Sequence, residues 1–422
     1  MDRKRGYYGW VIAAASAVGI AGSVSVFIPS TMALLVGPLG REFHWSPPGM
    51  FLAITFAAVT TVVVGPFIGK LVDRFGARRM ILASFGLEAL LLYSFRFLGS
   101  DISGFYLRYA LLAGLASGTT ALTFSALLAR WFDRRRGLAL GIGLSGLGFG
   151  GAFWSLITQR LISHVGWRAT FPYLAAIIAF VVLPILLICV RESPASMGLQ
   201  VDGDSADEAA AARKALGRHS GEVVGADLRT AAATATYWKV LLCFFAMSSA
   251  IYGVTLNIVP LMERQGFSAA TGAAVQASTW LALVFGRVSA GWFMDRFFAP
   301  RVAAAFMLPS IVGLAMLIEG HGQTVAYTGA ALVGLASGAE VDVLAYLTSR
   351  YFGLRHYGTI YATFFSAYAL GTSAGPLFTS WLAGSTASYA VPLWIMAALM
   401  AAAAATLTFF KPFPSLSELR AQ

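Results

Sequence analysis

Charge is scarce in this sequence. Asp, Glu, Lys and Arg make up 12% of its 422 residues, against roughly 25% in a soluble domain, which excludes a water-facing globular surface. Cysteine is nearly absent. Cys189 and Cys243 sit near the ends of predicted helices and imply no disulfide framework. The few lysines lie outside every predicted helix core, and the 5 histidines lie at helix ends or in loops. No metal or hydrolytic constellation follows from such a pattern, so neither enzymatic activity nor a cofactor is expected. The formal net charge of +11 would suggest nucleic acid in a soluble protein. Its distribution here points to membrane topology, and no nucleic-acid partner is expected.

What the sequence does have is apolar length. Hydrophobic residues make up 58% of the chain, in recurring runs of about 20 residues, each enough to cross a bilayer as a helix. A membrane β-barrel would show short alternating segments instead. The first run, Trp10 to Val36, has no short core followed by a small-residue cleavage site and is expected to be retained. Twelve transmembrane helices are predicted, at 9–37, 49–71, 80–98, 103–129, 137–163, 170–191, 238–262, 272–293, 301–319, 323–349, 358–382 and 388–410. The polar stretch between the sixth and seventh, containing DGDSADEAAAARKALGRHSGE, reads as a linker. The expected organisation is a six-helix half over 1–191, a linker over 192–237 and a second six-helix half over 238–422. Most of the 30 Lys and Arg residues fall on one side of this arrangement, among them Arg3 to Arg5, Lys70 to Arg79, Arg130 to Arg136, Arg350 and Lys411. The positive-inside rule makes that side cytoplasmic. The expected setting is a plasma membrane (an inner membrane in a bacterium), crossed many times with both termini inside.

The two halves repeat. GLASG occurs at 114–118 and again at 334–338, each followed twelve positions later by Arg130-Trp131-Phe132 or Arg350-Tyr351-Phe352. Asp73-Arg74 recurs as Asp295-Arg296, and Pro38-Leu39 as Pro260-Leu261. Four landmarks in one order at near-constant spacing indicate homologous halves. Parallel repeats of this kind place a substrate site at their interface near the midplane. A second pattern, GIGLSG at 141–146, matches a dinucleotide fingerprint. It lies within an apolar helix, where its glycines read as a close-packing face.

The motifs resemble those of a known family. Gly69-Lys70-Leu71-Val72-Asp73-Arg74-Phe75-Gly76 is similar to the signature between helices 2 and 3 of the major facilitator superfamily, and Gly291-Trp292-Phe293-Met294-Asp295-Arg296 to its second-half echo. The resemblance implies an all-α fold of twelve helices in two pseudo-symmetric halves. It also implies a gating role for Gly69, Asp73, Arg74, Gly291, Asp295 and Arg296. RWFDRRRGLALGIGLSGLGFGG at 130–151 and GYYGWV at 6–11 resemble signatures of the monocarboxylate transporter family. The acid that family usually places before the first glycine is missing here. Bacterial oxalate/formate-type antiporters share much of the pattern.

Charges in a helix core cost ~2.5–3.5 kcal/mol each on insertion scales, so each one needs a reason. Arg287 lies eight residues before Asp295 and Asp342 eight before Arg350, which puts both ~12 Å inside their helices, with Glu340 at ~15 Å. Glu88 reads as a structural partner, and Arg108 as an outer-surface residue that snorkels. The guanidinium of Arg287 can hold a carboxylate through two parallel bonds. It also matches the helix-8 arginine that binds substrate carboxylate in the families named. Glu340 and Asp342 are ~200° apart around a helix. One is expected to face Arg287, and the other a neighbouring helix or the far edge of the site. A carboxyl out of water favours its neutral form, whereas one beside a cation favours its charged form, so both are candidates for proton coupling. Their first-half counterparts are Thr120 and Leu122, so the repeat itself does not require them. The monocarboxylate family often has an acid one turn before the helix-8 arginine. Leu283 stands there, and a helix-10 acid would take its place. Tyr361 and Tyr368, two turns apart on one face, join Asn257, Tyr252 and Phe27 as further substrate-binding candidates. Oxalate/formate-type antiporters can carry a helix-11 lysine near position 368. Its absence favours a monocarboxylate over a dicarboxylate.

The expected function is alternating-access secondary transport of a small carboxylate such as lactate or pyruvate, coupled to a proton, by a chain active as a monomer in the lipid bilayer. Anion or dicarboxylate exchange and efflux of a larger amphipathic compound are the alternatives. A transporter-like sensor is a further one, without a sizeable signalling tail to support it.

Overall fold

The computed structural model describes residues 7–132, 136–203, 225–294, 296–353 and 356–414. They are helical almost throughout. The first span, α1, runs Gly9–Gly22 and Val24–Phe43, broken at Ser23. Next come α2 (Pro47–Phe75) and α3 (Ala77–Ser94). The fourth, α4, is Ile102–Leu115 and Ala121–Trp131 with a 3-10 turn, Ser117–Thr119, between them. A continuous apolar stretch of 52 residues, Leu138–Cys189, bends at Gly166, whose φ is 76°. At ~1.5 Å per residue it is more than twice the ~30 Å of a bilayer core. It therefore supplies two passes, α5 (136–165) and α6 (167–189). The second half contains α7 (Ala235–Thr255, continued by Ile258–Arg264), α8 (Ala269–Met294) and α9 (Ala299–Glu319). It ends with α10 (Gln323–Phe352), α11 (Tyr357–Ser385) and α12 (Ala390–Thr408). The chain divides by packing into two compact units, Met1–Thr31 with Phe56–Gly221, and Met32–Thr55 with Glu222–Gln422.

Small residues set the helix crossings inside each unit. A methyl group added at Gly146 or Gly150 of α5 would collide with the carbonyls of Ala17 or Ala21 on α1, and one at Gly143 with Leu128; Gly141, the first glycine of the fingerprint-like stretch, has open space beside it and is not part of this packing face. In the second unit, Gly334 and Gly338 of α10 lie on the carbonyls of Thr279 and Leu283, and Gly286 of α8 lies on that of Leu335. Helices α8 and α10 therefore cross backbone to backbone, a spacing that only glycine permits.

The repeated GLASG takes two conformations. In α10 it lies within a continuous helix; in α4 the helix stops at Leu115 and re-forms at Ala121. The residues that follow explain the difference. Thr119 and Thr120 bond their hydroxyls back to the carbonyls of Ala116 and Ser117, both at 2.8 Å, which competes with the helical ladder. Ala339 and Glu340, at the matching positions, are good helix formers.

The start of α3 is held by a residue from the end of α6. Glu192 accepts from the backbone N–H groups of Ala77 at 2.9 Å and Arg78 at 2.8 Å, and it pairs with Arg130. Its carboxylate meets the N-terminal partial charge of the helix and two of its orphan donors. Gly76 precedes it at φ 87°, and a Cβ there would strike the Glu192 carboxylate.

Candidate functional site

The second unit brings together charged and aromatic residues from four helices. Arg287 on α8 and Asp342 on α10 form an ion pair, Nε to Oδ2 at 3.0 Å, with side-chain exposures of 11% and 33%. The glycine crossing of α8 on α10 places them. Gly338 packs on Leu283, one turn before each of the two residues that pair. The geometry of the pair is incomplete. The Nε and Nη1 atoms of Arg287 are buried and make no hydrogen bond. A guanidinium has five donors, and buried donors without an acceptor are rare enough to need an explanation.

Glu340 points elsewhere. It is fully buried, and neither carboxylate oxygen has a hydrogen-bond partner. Tyr252 on α7 and Tyr368 on α11 lie within electrostatic reach of both Glu340 and Arg287. The two tyrosines bond hydroxyl to hydroxyl at 3.2 Å, with rings perpendicular at 6.3 Å. Of the two helix-10 acids, Asp342 is therefore the one that faces Arg287, and Glu340 sits behind, on the tyrosine side. Tyr361 and Tyr368 share a face of α11 with Phe365 between them. Tyr361 and Phe365 stack at 6.0 Å, and Phe365 and Tyr368 at 5.5 Å. Phe365, 38% exposed, was not singled out in the sequence, although its spacings of four and three from the two tyrosines place it on their face.

The remaining candidates make other contacts. Asn257 is buried at the break in α7, with its amide engaged internally. Nδ2 donates to the carbonyls of Gly253 at 2.8 Å and Pro376 at 3.4 Å, and Oδ1 accepts from Tyr389 at 3.4 Å. It braces the broken helix against α11 and α12. Phe27 belongs to the first unit, buried edge-on against Trp154 at 5.4 Å. Arg108 donates to the carbonyls of Ser94, the last of α3, of Phe97 in the turn that follows, and of Gly104 in its own helix. Of the gating candidates, Arg74 lies over Phe75 at 5.2 Å. Arg296 lies over Trp292 at 3.9 Å and donates to its carbonyl at 3.1 Å. Gly291 has open space beside it. Asp295 falls outside the described residues, as do the side chains of Gly69 and Asp73. Among the described residues no cluster of His, Cys, Asp and Glu could hold a metal ion. Glu192 was also missed. The signal available was an acid directly after the last apolar residue of the sixth span, at the end where basic residues crowd.

Two repeated helical units, long apolar spans and polar groups buried at mid-depth together define a multi-pass α-helical membrane protein. The chain belongs to the major facilitator superfamily, whose family model matches residues 9–376. An MFS-type transporter of Gibberella moniliformis is 26% identical over 334 residues, covering 78% of this chain and 74% of that protein. Monocarboxylate transporter 14 of Mus musculus is 29% identical over 128 residues, covering 30% of this chain and a quarter (25%) of the transporter's own length. In fold, the chain is similar to a D-xylose–proton symporter, with a TM-score of 0.68 at 16% identity over 97% of this chain and 99% of the other. It is a transporter of this superfamily by descent and by fold.

Proposed function

We propose that the chain carries a small monocarboxylate across the membrane together with a proton, and that Arg287 binds the carboxylate. The supporting observation is a buried guanidinium with donors unspent, paired to one partly exposed acid. An arriving carboxylate supplies the missing acceptors in the bidentate geometry arginine favours. It also competes with Asp342 for the same cation. A proton on Asp342 removes that competitor, so proton and anion favour each other's binding, and the loaded site gains no net charge. Glu340 serves as a neutral acid behind the site. Tyr252, Tyr368, Phe365 and Tyr361 provide an aromatic wall for the short apolar part of the solute. The basic loops, with Arg74 and Arg296, lie on the cytoplasmic side and contribute to gating with Gly69, Asp73, Gly291 and Asp295. The similarity to part of a monocarboxylate transporter agrees with this reading.

The test is uptake into proteoliposomes across a panel of mono- and dicarboxylates, with a pH dye in the lumen. Monocarboxylate uptake is expected to acidify the lumen. Arg287→Gln is expected to lose roughly 10- to 100-fold in affinity, the worth of about 1.5–3 kcal/mol for hydrogen bonds to a charged group. Full affinity in Arg287→Gln would refute the assignment. Uptake that ignores a protonophore but follows internal substrate would replace symport by anion exchange.

A further inference from the structure

The first unit contains a carboxylic acid that carboxylate binding at Arg287 does not use. Glu88 lies eleven residues into α3, ~16 Å along the helix. It is fully buried, and neither of its oxygens makes a hydrogen bond. Within the unit the Thr119 hydroxyl is placed to bond it, in the 3-10 turn that interrupts α4, whose Gly118 packs against Ser84, one turn before Glu88. Thr119 is also the link between two helix breaks. Its hydroxyl donates to Ala116 O at 2.8 Å and accepts from Val24 N at 3.2 Å, the first residue after the break in α1. Each unit thus has one fully buried glutamate with unsatisfied oxygens next to a copy of GLASG. In the second unit it is Glu340, on the GLASG helix itself. In the first it is Glu88, on the neighbouring helix, where the repeat spacing puts Ser310 in the second unit, bonded to Met307 O at 2.7 Å.

Among the described residues no charged side chain acts on Glu88 from the elements packed around it. At one end of α3, Arg108 is spent on carbonyls and Arg168 donates to Leu98 O. At the other end, the guanidinium of Arg78 donates to Leu187 O at 3.2 Å and Arg130 pairs with Glu192. Tyr109 on α4 packs against Phe95 at 5.6 Å. A bare carboxylate does not persist in such surroundings; the group takes up a proton instead.

We propose that Glu88 is a second proton-binding site, in the first unit, and that Thr119 transmits its protonation state to the breaks in α1 and α4. The chemistry is an exchange of hydrogen bonds. With Glu88 neutral, the Thr119 hydroxyl stays on Ala116 O, as observed. Once Glu88 loses its proton to water, the carboxylate is the stronger, charge-assisted acceptor. The hydroxyl hydrogen of Thr119 then turns to Glu88, Ala116 O keeps only the Thr119 N–H at 2.9 Å, and the α4 turn loosens together with the Val24 contact. The inference needs only that the chain is a transporter and holds for any solute.

The test therefore needs no substrate. The full chain in lipid nanodiscs is followed across pH by infrared spectroscopy of protonated carboxyls and by hydrogen exchange of peptides covering Ser23 and Thr119. The wild type is expected to show a carboxyl band that fades as pH rises, additional to those of Glu340 and Asp342. The two breaks should exchange several-fold faster over the same range, beyond the intrinsic effect of pH. Glu88→Gln, isosteric with the neutral acid, is expected to lack that band and the accelerated exchange. Thr119→Val is expected to keep the band and lose the acceleration, which tests the link should Glu88→Gln fail to fold. Identical carboxyl bands in the wild type and Glu88→Gln overturn the proposal, as does wild-type exchange in either variant. A failed Arg287 assignment would leave all of these readings unchanged.

Discussion

Replacing Asp342 by Asn keeps the shape of the side chain and removes its charge. Under the proposed function, a substrate carboxylate must displace Asp342 from Arg287 in the wild type. Coulomb's law for the 3.0 Å pair, at an effective dielectric of ~20, gives a gross attraction of about 5 kcal/mol. That figure is an upper bound for the competition, because Asp342 is 33% exposed and water both screens it and hydrates it once displaced. Exposed pairs contribute about 0–1 kcal/mol and buried ones more. A partly buried pair falls between, at about 1.4 kcal/mol, which is about tenfold in affinity. Asp342→Asn is therefore expected to bind a monocarboxylate about tenfold more tightly at neutral pH. Wild-type binding should strengthen as pH falls and Asp342 is protonated, approaching the variant at the acid end, whereas the variant should show no such dependence. Uptake driven by a pH gradient should be lost even though binding improves. Titration calorimetry from acid to alkaline pH, paired with proteoliposome uptake, reads both effects. Weaker binding in Asp342→Asn, or a wild-type pH dependence in the variant, would refute the competition.

Other expectations follow from the surrounding structure. Gly338→Ala places a methyl group against the Leu283 carbonyl and the Arg287 N–H. Overpacking of this kind costs about 1–3 kcal/mol, so both thermal stability and carboxylate affinity should fall. Glu192→Gln weakens a charged cap on α3; a loss of about 1 kcal/mol should appear as a lowered thermal midpoint in detergent. Asp101, at the start of α4, accepts from the hydroxyl and the N–H of Ser103, and these bonds hold its carboxyl below the usual carboxylate range. Its contribution is therefore present above the ordinary carboxylate pKa and is lost as pH falls through the lowered one. Hydrogen exchange at the first turn of α4 should rise in acid in the wild type and show no such step in Asp101→Asn.

The spans and the repeat were legible in the sequence because both depend on composition and spacing along one strand. Twenty apolar residues make a pass in any context, and a pentapeptide repeated at fixed offset needs no third dimension. The depth of Arg287, Glu340 and Asp342 was equally a matter of counting. The partner of Arg287 was not, because the azimuth of a helix is set by what it packs against, and the Gly286, Gly334 and Gly338 crossing exists only once α8 meets α10. The internal breaks at Ser23 and Ser117–Thr119 were missed for a related reason. Hydropathy is blind to a threonine that bonds backwards, so GLASG looked the same in both halves while the residues after it decided its shape. Asn257 looked like a ligand because it is polar and deep, yet a broken helix needs such a residue to satisfy its own backbone.

The glycine contacts between α8 and α10 have a mechanical consequence. Two helices locked carbonyl against Cα move as one strut, so rocking of the surrounding bundle cannot pull Arg287 away from Asp342. Under the proposed symport, arrival of a proton or of an anion opens that contact, and the work drawn from one gradient is handed to the other within the length of a single side chain.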